Sequence, residues 1–284
     1  MTSPACMRWK PGQRQTWRLP SDGRFDPARY GVTTLTETVA REYVLARHYA
    51  GSWPSAVQRY GLIDMDGERG PELVGAAILS DPVQYGVLTK VFPELRPHAE
   101  SLELGRFVLD DEVPANGESW FLAEVFREAF RKGIQGVVSF SDPVRRQTAA
   151  GRVILPGHVG IIYQATNADY LGRATPRTLA VLPGGVVLSA KAMQKIRKQE
   201  QGHGYAERLL VDAGARAMRA GEKPASWLAE ALNDAHARRF RHRGVHRYAF
   251  RLAPNRSWRE TVRLGLPSQS YPKSIDPGVL EVAA

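Results

Sequence analysis

The sequence predicts a mixed α/β domain, an α+β arrangement around a mixed sheet, followed by a basic C-terminal extension. Three observations carry that reading. First, Val137, Val138 and Phe140 make a short apolar run that stops at Ser141-Asp142-Pro143, and residues 160–167 then show helical apolar spacing at Ile161, Ile162 and Ala165. A buried strand, a carboxylate at its tip and a following helix form half of an α/β crevice. Second, residues 101–109 (SLELGRFVL) read as a strand that turns into a helix carrying Phe121, Val125, Phe126 and Phe130 as its apolar stripe. Third, charge is unevenly spread. The 284 residues net +10, and residues 191–260 hold 16 Lys/Arg against 7 Asp/Glu, a net of +9. A near-neutral body with a basic last third is the pattern of a catalytic part joined to a polyanion-binding part.

Composition narrows the class. At 43% hydrophobic and 24% charged residues, the chain has the material for a core, and wholesale disorder is excluded. No apolar run approaches the ~18 residues of a membrane span. The segment MTSPACMRWKPGQ has no signal-peptide h-region, and Cys6 is the single cysteine. The expectation is a reducing, cytoplasmic setting. There is no Cys/His zinc spacing, P-loop or GxSxG elbow.

In chain order, residues 1–31 read as an extended arm rich in Pro, Gly and Arg. Residues 34–47 read as a helix, with capping-box spacing at Thr34 and Glu37 and a face of Leu35, Val39, Tyr43 and Ala46. It runs out at His48-Tyr49, a pair that either caps the helix or serves a site. Residues 56–65 and 73–80 read as a hairpin around DGERGP. Glu103 and Arg106 are embedded in the strand 101–109, where charge either faces solvent, as it ordinarily does, or at a site orients a ligand or another side chain. Asn116 or Ser119 caps the helix that follows, and its free backbone N–H groups make an anion site.

Further on, residues 177–182 and 186–189 flank the turn Pro183-Gly184-Gly185. Residues 190–217 read as a helix broken near 202–204, basic nearly all round at its start, and 224–237 as another. Residues 238–251 interleave six arginines with Phe240, Tyr248 and Phe250. Such a stretch either binds phosphates and stacks on bases or is a strand with buried rings and a basic outer face.

SFSDP with GHVGIIYQATN, preceded by ELGRFVL and by RHY at a helix end, resembles the bacteriophage Mom family. The resemblance covers residues 30–172. It implies a GNAT-like acyltransferase fold and a DNA modification enzyme that converts adenine at N6 to a methylcarbamoyl form, shielding phage DNA from restriction in the host cytoplasm. The alternatives are a GNAT N-acyltransferase acting on a protein or small amine, and a non-catalytic DNA-binding protein.

The resemblance implies catalytic roles for His48, Tyr49, Arg106 and Asp142, with His48, Tyr49 and Asp142 as ligands of an iron centre, and Tyr163 as general acid. It places the diphosphate of an acyl-coenzyme A at Asn116, Gly117, Glu118 and Ser119, with Glu118 turned away from the anion. Two departures stand out: only Gly117 remains of the usual glycine signature, and residues 144–155 are inserted between SDP and PGHVG. The expected division is an arm (1–31), a catalytic domain (32–172), a basic DNA-binding extension (173–260) and a tail (261–284). Double-stranded DNA is the expected partner, contacted by Arg145, Arg146, Lys195, Arg197, Lys198, Arg239, Arg241, Arg243 and Arg247, with Arg152 of the insertion beside them.

Overall fold

A seven-stranded sheet organises the first of two units in the computed structural model, which describes residues 6–10, 15–148, 153–276 and 279–282. That unit opens with β1 (Cys6–Trp9), β2 (Gln15–Arg18), β3 (Tyr30–Thr34), α1 (Glu37–Arg47), β4 (Ser55–Asp64) and β5 (Glu72–Asp81). It continues through α2 (Gly86–Val91), β6 (Ser101–Leu109), α3 (Gly117–Arg131) and β7 (Gly136–Ser141). The chain then enters the second unit with β8 (Arg145–Thr148) and β9 (Val153–Leu155), and returns to the first for α4 (Ile161–Ala165) and β10 (Asp169–Arg173). The second unit resumes with β11 (Arg177–Val181), β12 (Val187–Leu188), α5 (Ala190–Lys198), α6 (Gly204–Asp212), α7 (Pro224–Asp234) and β13 (Arg238–His242). β14 (His246–Arg251) and α8 (Arg256–Thr261) belong to the first unit, and β15 (Val279–Val282) to the second.

In the first unit the sheet order is β10-β14-β7-β6-β5-β4-β3. β3 to β6 form an antiparallel meander, and β7 pairs parallel to β6 after the α3 crossover. Helical spacing along α3 buries Phe121, Leu122 and Val125 on one face of the sheet, against Leu62, Leu79, Leu102 and Val137. α1 covers the other face, with Ala40, Tyr43 and Val44 on Ala76, Ile78 and Val108. Thr36, rather than Thr34, caps α1, its hydroxyl accepting from Val39 N–H at 3.4 Å; Thr34 is spent in β3.

The contiguous division expected from sequence does not describe this chain. Residues 141–159 leave the first unit, and Arg247–Tyr271 come back to it. The physical reason is β14, which lies between β10 and β7 and fills the sheet. Tyr248 and Phe250 are therefore core residues, 0% and 5% exposed, and not stacking platforms for bases. Residues 1–31 are also not simply extended: β1 and β2 form a hairpin.

The second unit holds the sheets β12-β11-β13 and β15-β8-β9 and a helical core of Ile196, Leu210, Trp227 and Leu228. α5 is amphipathic, with Ala192 and Ile196 buried and Arg197 and Lys198 exposed, so its basic face is one side only.

Candidate active site at a bulge in the central strand

Strand alternation puts successive side chains on opposite faces of a sheet, so residues three apart should not share a face. Glu103 and Arg106 do share one. The β5–β6 register runs from Ile78↔Arg106 to Leu79↔Leu104, leaving Gly105 as an extra residue. This one-residue bulge resets the alternation: Leu104 and Leu109 both reach the α3-side core, while Glu103 and Arg106 both line a cleft of about 440 Å³. Only glycine fits at the bulge. A Cβ on Gly105 would lie 2.3 Å from Ser80 Oγ and 3.2 Å from Pro54 Cβ.

Burial raises the Glu103 carboxyl to about 6, against a partial counter-effect from the Arg106 charge. Arg106 is itself lowered by burial, with the Tyr49 and Glu103 charges opposing that. Its guanidinium clamps the loop after α1, donating from Nε to Ser52 O at 2.9 Å and from Nη2 to Ser52 Oγ at 2.7 Å. Its third donor closes on Gly105 O. Arg106 thus holds the wall of the cleft.

The β6–β7 ladder ends at Glu103↔Val138, although β6 runs on to Leu109 and β7 to Ser141. Beyond that pair the strands part. Tyr163, buried in α4, stands at the gap with Ser139 of β7. Its hydroxyl is raised by burial, Ser139 opposes that, and the Glu103 charge raises it further. The phenol is therefore a proton donor at neutral pH, near a carboxyl that titrates near 6. Its ring is held by Tyr248 and Phe250, at centroid distances of 5.3 and 6.1 Å. Tyr163, given an acid's role by the family resemblance, is thus a buried, raised phenol. Glu103, whose charge acts on it, is absent from the expected set of site residues.

His48 is the C-cap of α1, as its position implies, with its backbone N–H on Val44 O at 2.8 Å. Its Nδ1 accepts from Ala50 N–H at 3.1 Å, which fixes the neutral ring with its proton on Nε2. Tyr49 stacks on it at 4.5 Å. These two and Arg106 are gathered around the loop 48–54 of the first unit.

Asp142 belongs to the second unit, and its carboxylate is taken up there. Oδ1 accepts from Val144 N–H at 2.9 Å and from His242 Nε2 at 3.0 Å, and Oδ2 accepts from Arg146 Nη2 at 2.7 Å. His242 Nδ1 accepts in turn from Gly244 N–H at 2.9 Å. Burial raises the Asp142 carboxyl, but the His242 hydrogen bond and the Arg146 charge outweigh that and hold it below the usual range. His246, 2% exposed, is pushed down to about 4 by burial and by the Arg173 charge. Among the described residues no group of three or more His, Cys, Asp or Glu could hold a metal ion. His48 and Tyr49 belong to the first unit and Asp142 to the second, where its carboxylate already accepts three hydrogen bonds, so no iron centre on these three is supported.

The turn at the α3 N-terminus, where the diphosphate was expected, is lined by ion pairs. Glu118 lies in a buried ion pair: Arg8 Nε donates to its Oε1 at 2.7 Å. Lys10 lies 3.8 and 3.6 Å from Asp110 and Asp111, and Arg47 Nε donates to Asp110 at 2.9 Å. Three carboxylates and their own cations surround the turn. Gly117 serves packing, since a Cβ there would meet Val113 Cγ1 at 2.5 Å. Ser119 Oγ donates to Asn116 O at 3.0 Å, and the Asn116 side chain makes no cap bond. The charges at this turn are balanced among themselves.

The expected DNA contacts divide. Arg197, Lys198, Arg239, Arg241 and Arg243 are exposed on the second unit. Arg146 is spent on Asp142, and Arg145 is half-buried. Lys195 is half-buried, its amine 5.7 Å from the Tyr205 ring. Arg247 is half-buried in the first unit and lowered by burial. Arg152 lies outside the described residues.

A meander that crosses through a helix to a parallel strand, with a bulge in the strand before the crossover, is a mixed α/β architecture of the GNAT-like kind. The chain belongs to the Mom protein family, which matches residues 29–273. Similar solved structures include a GNAT family N-acetyltransferase from Escherichia coli in complex with CoA, at 11% identity, covering 81% of this chain and 86% of that one, with a TM-score of 0.33. A tandem GNAT protein from the clavulanic acid biosynthesis pathway is 12% identical over 83% of this chain and 72% of its own, with a TM-score of 0.34. A putative phosphinothricin N-acetyltransferase is 11% identical over 79% and 99%, with a TM-score of 0.31. No curated protein matches the sequence. No helix among the described residues is long and apolar enough to cross a membrane.

Proposed function

We propose that this chain is a Mom-type DNA modification enzyme that acts on the exocyclic N6 amine of adenine. The observation that carries the reading is the Glu103 carboxyl, raised to about 6 and lining a cleft, in a Mom family chain whose buried Tyr163 phenol feels the Glu103 charge. Attack by an amine on an electrophilic carbon needs a base to take one N–H proton and an acid to protonate the departing group. Glu103, ionised above pH 6, is the base. Tyr163, protonated at neutral pH, is the acid. Arg106 fixes the loop 48–54 against the bulge and keeps both groups in register. No step is assigned to iron or to coenzyme A.

The test is nucleoside mass spectrometry of DNA from cells expressing the chain. A new adenine species is the expected result. Unmodified DNA with acylated amines would move the activity to a protein or small-amine acyltransferase, and no product at all would leave a binding protein. Tyr163→Phe keeps the ring between Tyr248 and Phe250 and removes only the proton donor. We expect unchanged thermal stability and a modification rate lower by about 10² to 10⁴. A rate within threefold of the parent would remove Tyr163 from the chemistry.

DNA is engaged through the exposed cations of the second unit. In β13, Arg239 and Arg241 alternate with Phe240 and the buried His242, so they project from one side of the strand. Charge reversal of Arg239, Arg241 and Arg243 should weaken duplex binding and flatten its salt dependence, by about 0.9 in log–log slope for each phosphate no longer neutralised. An unchanged slope would place the DNA elsewhere.

A further inference from the structure

The cleft beside the bulge is built for a particular kind of ligand. Its charged lining is two carboxylates, Asp81 and Glu103, and one guanidinium, Arg106. That guanidinium is already committed to Ser52 and Gly105. What remains is acceptor-rich, so the cleft repels phosphates and attracts N–H donors. Trp53 supplies an aromatic wall. It is half-buried and packed against the α1-side core, which limits its movement. Asp81 is oriented by His98, whose Nδ1 lies 2.5 Å from Asp81 Oδ1. Beyond Asp81 the rim continues in Val83, 87% exposed.

A planar, uncharged ring with an exocyclic amine fits this chemistry, and a cleft of about 440 Å³ has room for it. Within duplex DNA such an amine is stacked and paired, and an enzyme reaches it by extruding the base. We propose that the cleft is the seat of the extruded base, with Trp53 stacking on the ring and Asp81 selecting the amine. This rests on the reading of the chain as a DNA base modification enzyme and assigns the residues that hold the base. The selection follows from the edges of the bases. Adenine and cytosine present an amine where thymine presents a carbonyl oxygen, and a carbonyl set against Asp81 and Glu103 is repelled. Trp53 and Asp81 are then binding residues, distinct from Glu103 and Tyr163, which move protons.

The probe is a 12-nucleotide single strand with one fluorescent 8-vinyladenine among thymidines, which keeps the adenine amine and on which no duplex need be opened. Stacking on Trp53 quenches its fluorescence. The full-length chain is expected to quench it, Trp53→Phe to keep part of the quench, and Trp53→Ala to lose it. Fluorescein anisotropy should show overall strand affinity changed less than about threefold, because the phosphates are held elsewhere. Unlabelled strands test the amine: one deoxyadenosine in thymidine should displace the probe about tenfold better than one purine deoxyriboside, which lacks the amine, and Asp81→Asn should level the two. Equal quenching by Trp53→Ala, or equal competition by both strands against the parent chain, overturns the proposal. Trp53→Phe and Asp81→Asn keep the test open should Trp53→Ala fail to fold. Nucleoside mass spectrometry on the parent chain separates the two readings. Modified adenine with an unaltered Trp53→Ala quench sinks the seat alone; an intact quench with no modified nucleoside sinks the function alone.

Discussion

Glu103→Gln should abolish adenine modification and at the same time stabilise the protein above pH 6. The amide occupies the same space beside the bulge but cannot take a proton, so the rate should fall by about 10² to 10⁴. The parent enzyme should show kcat/KM rising through a limb near pH 6, where the carboxyl ionises. The stability effect has the opposite sign. A carboxyl raised in the folded state contributes stability that is fully present below its ordinary 4.5 and is lost as pH rises through about 6. The parent therefore carries a buried charge above pH 6 that the variant lacks, at a cost on the order of 2 kcal/mol. Urea unfolding at pH 4.5 and pH 7.5 checks this. The variant should match the parent at the lower pH and gain at the higher. Parallel behaviour at both would mean that Glu103 is solvated and is no base.

The second large effect is at the other end of the sheet strand. Arg8→Ala should destabilise the first unit by about 3–5 kcal/mol, because it leaves Glu118 buried without its cation. Both side chains are nearly inaccessible, at 6% and 10% exposure, and Arg8 also donates from Nη1 to Asp110 O at 2.6 Å. Replacing both partners, as in Arg8→Met with Glu118→Gln, should recover most of the loss, since no uncompensated charge remains. Chemical denaturation of the three variants measures the coupling. A loss below about 1 kcal/mol for Arg8→Ala would show the pair to be solvated. The arm thus closes over the turn where a diphosphate was expected.

Local pattern carried most of the elements. Residues 101–109 were legible as a strand to the residue, and the hairpin partners Ser55–Asp64 and Glu72–Asp81 to within two. His48 at a helix end and Tyr163 in a short helix were also legible, because each depends on its neighbours in sequence. What failed depends on distance. Glu103 looked like a solvent-facing charge, since nothing in SLELGRFVL announces that Gly105 falls out of register with β5. The lone glycine between two charged residues of an apolar strand was the available signal. Asp142 looked available to a metal because its partner His242 lies 100 residues away. Tyr248 and Phe250 looked like part of a basic ribbon because the break at Arg243–Val245, with Gly244 at φ 102°, sends β14 to a different sheet from β13.

That last strand also sets a clock. The ribosome delivers β7 by residue 141 but does not reach its neighbour β14 until residue 246. At about 5–20 residues per second the interval is roughly 5–20 s. Throughout it, one side of β7 has no strand to pair with, and Val137 and Val138 lack part of their cover. An open apolar edge of this kind is a template for pairing with other chains. The nascent protein therefore depends on whatever shields that edge during synthesis. No product shortened ahead of residue 246 can complete the sheet on which Glu103 and Tyr163 are mounted.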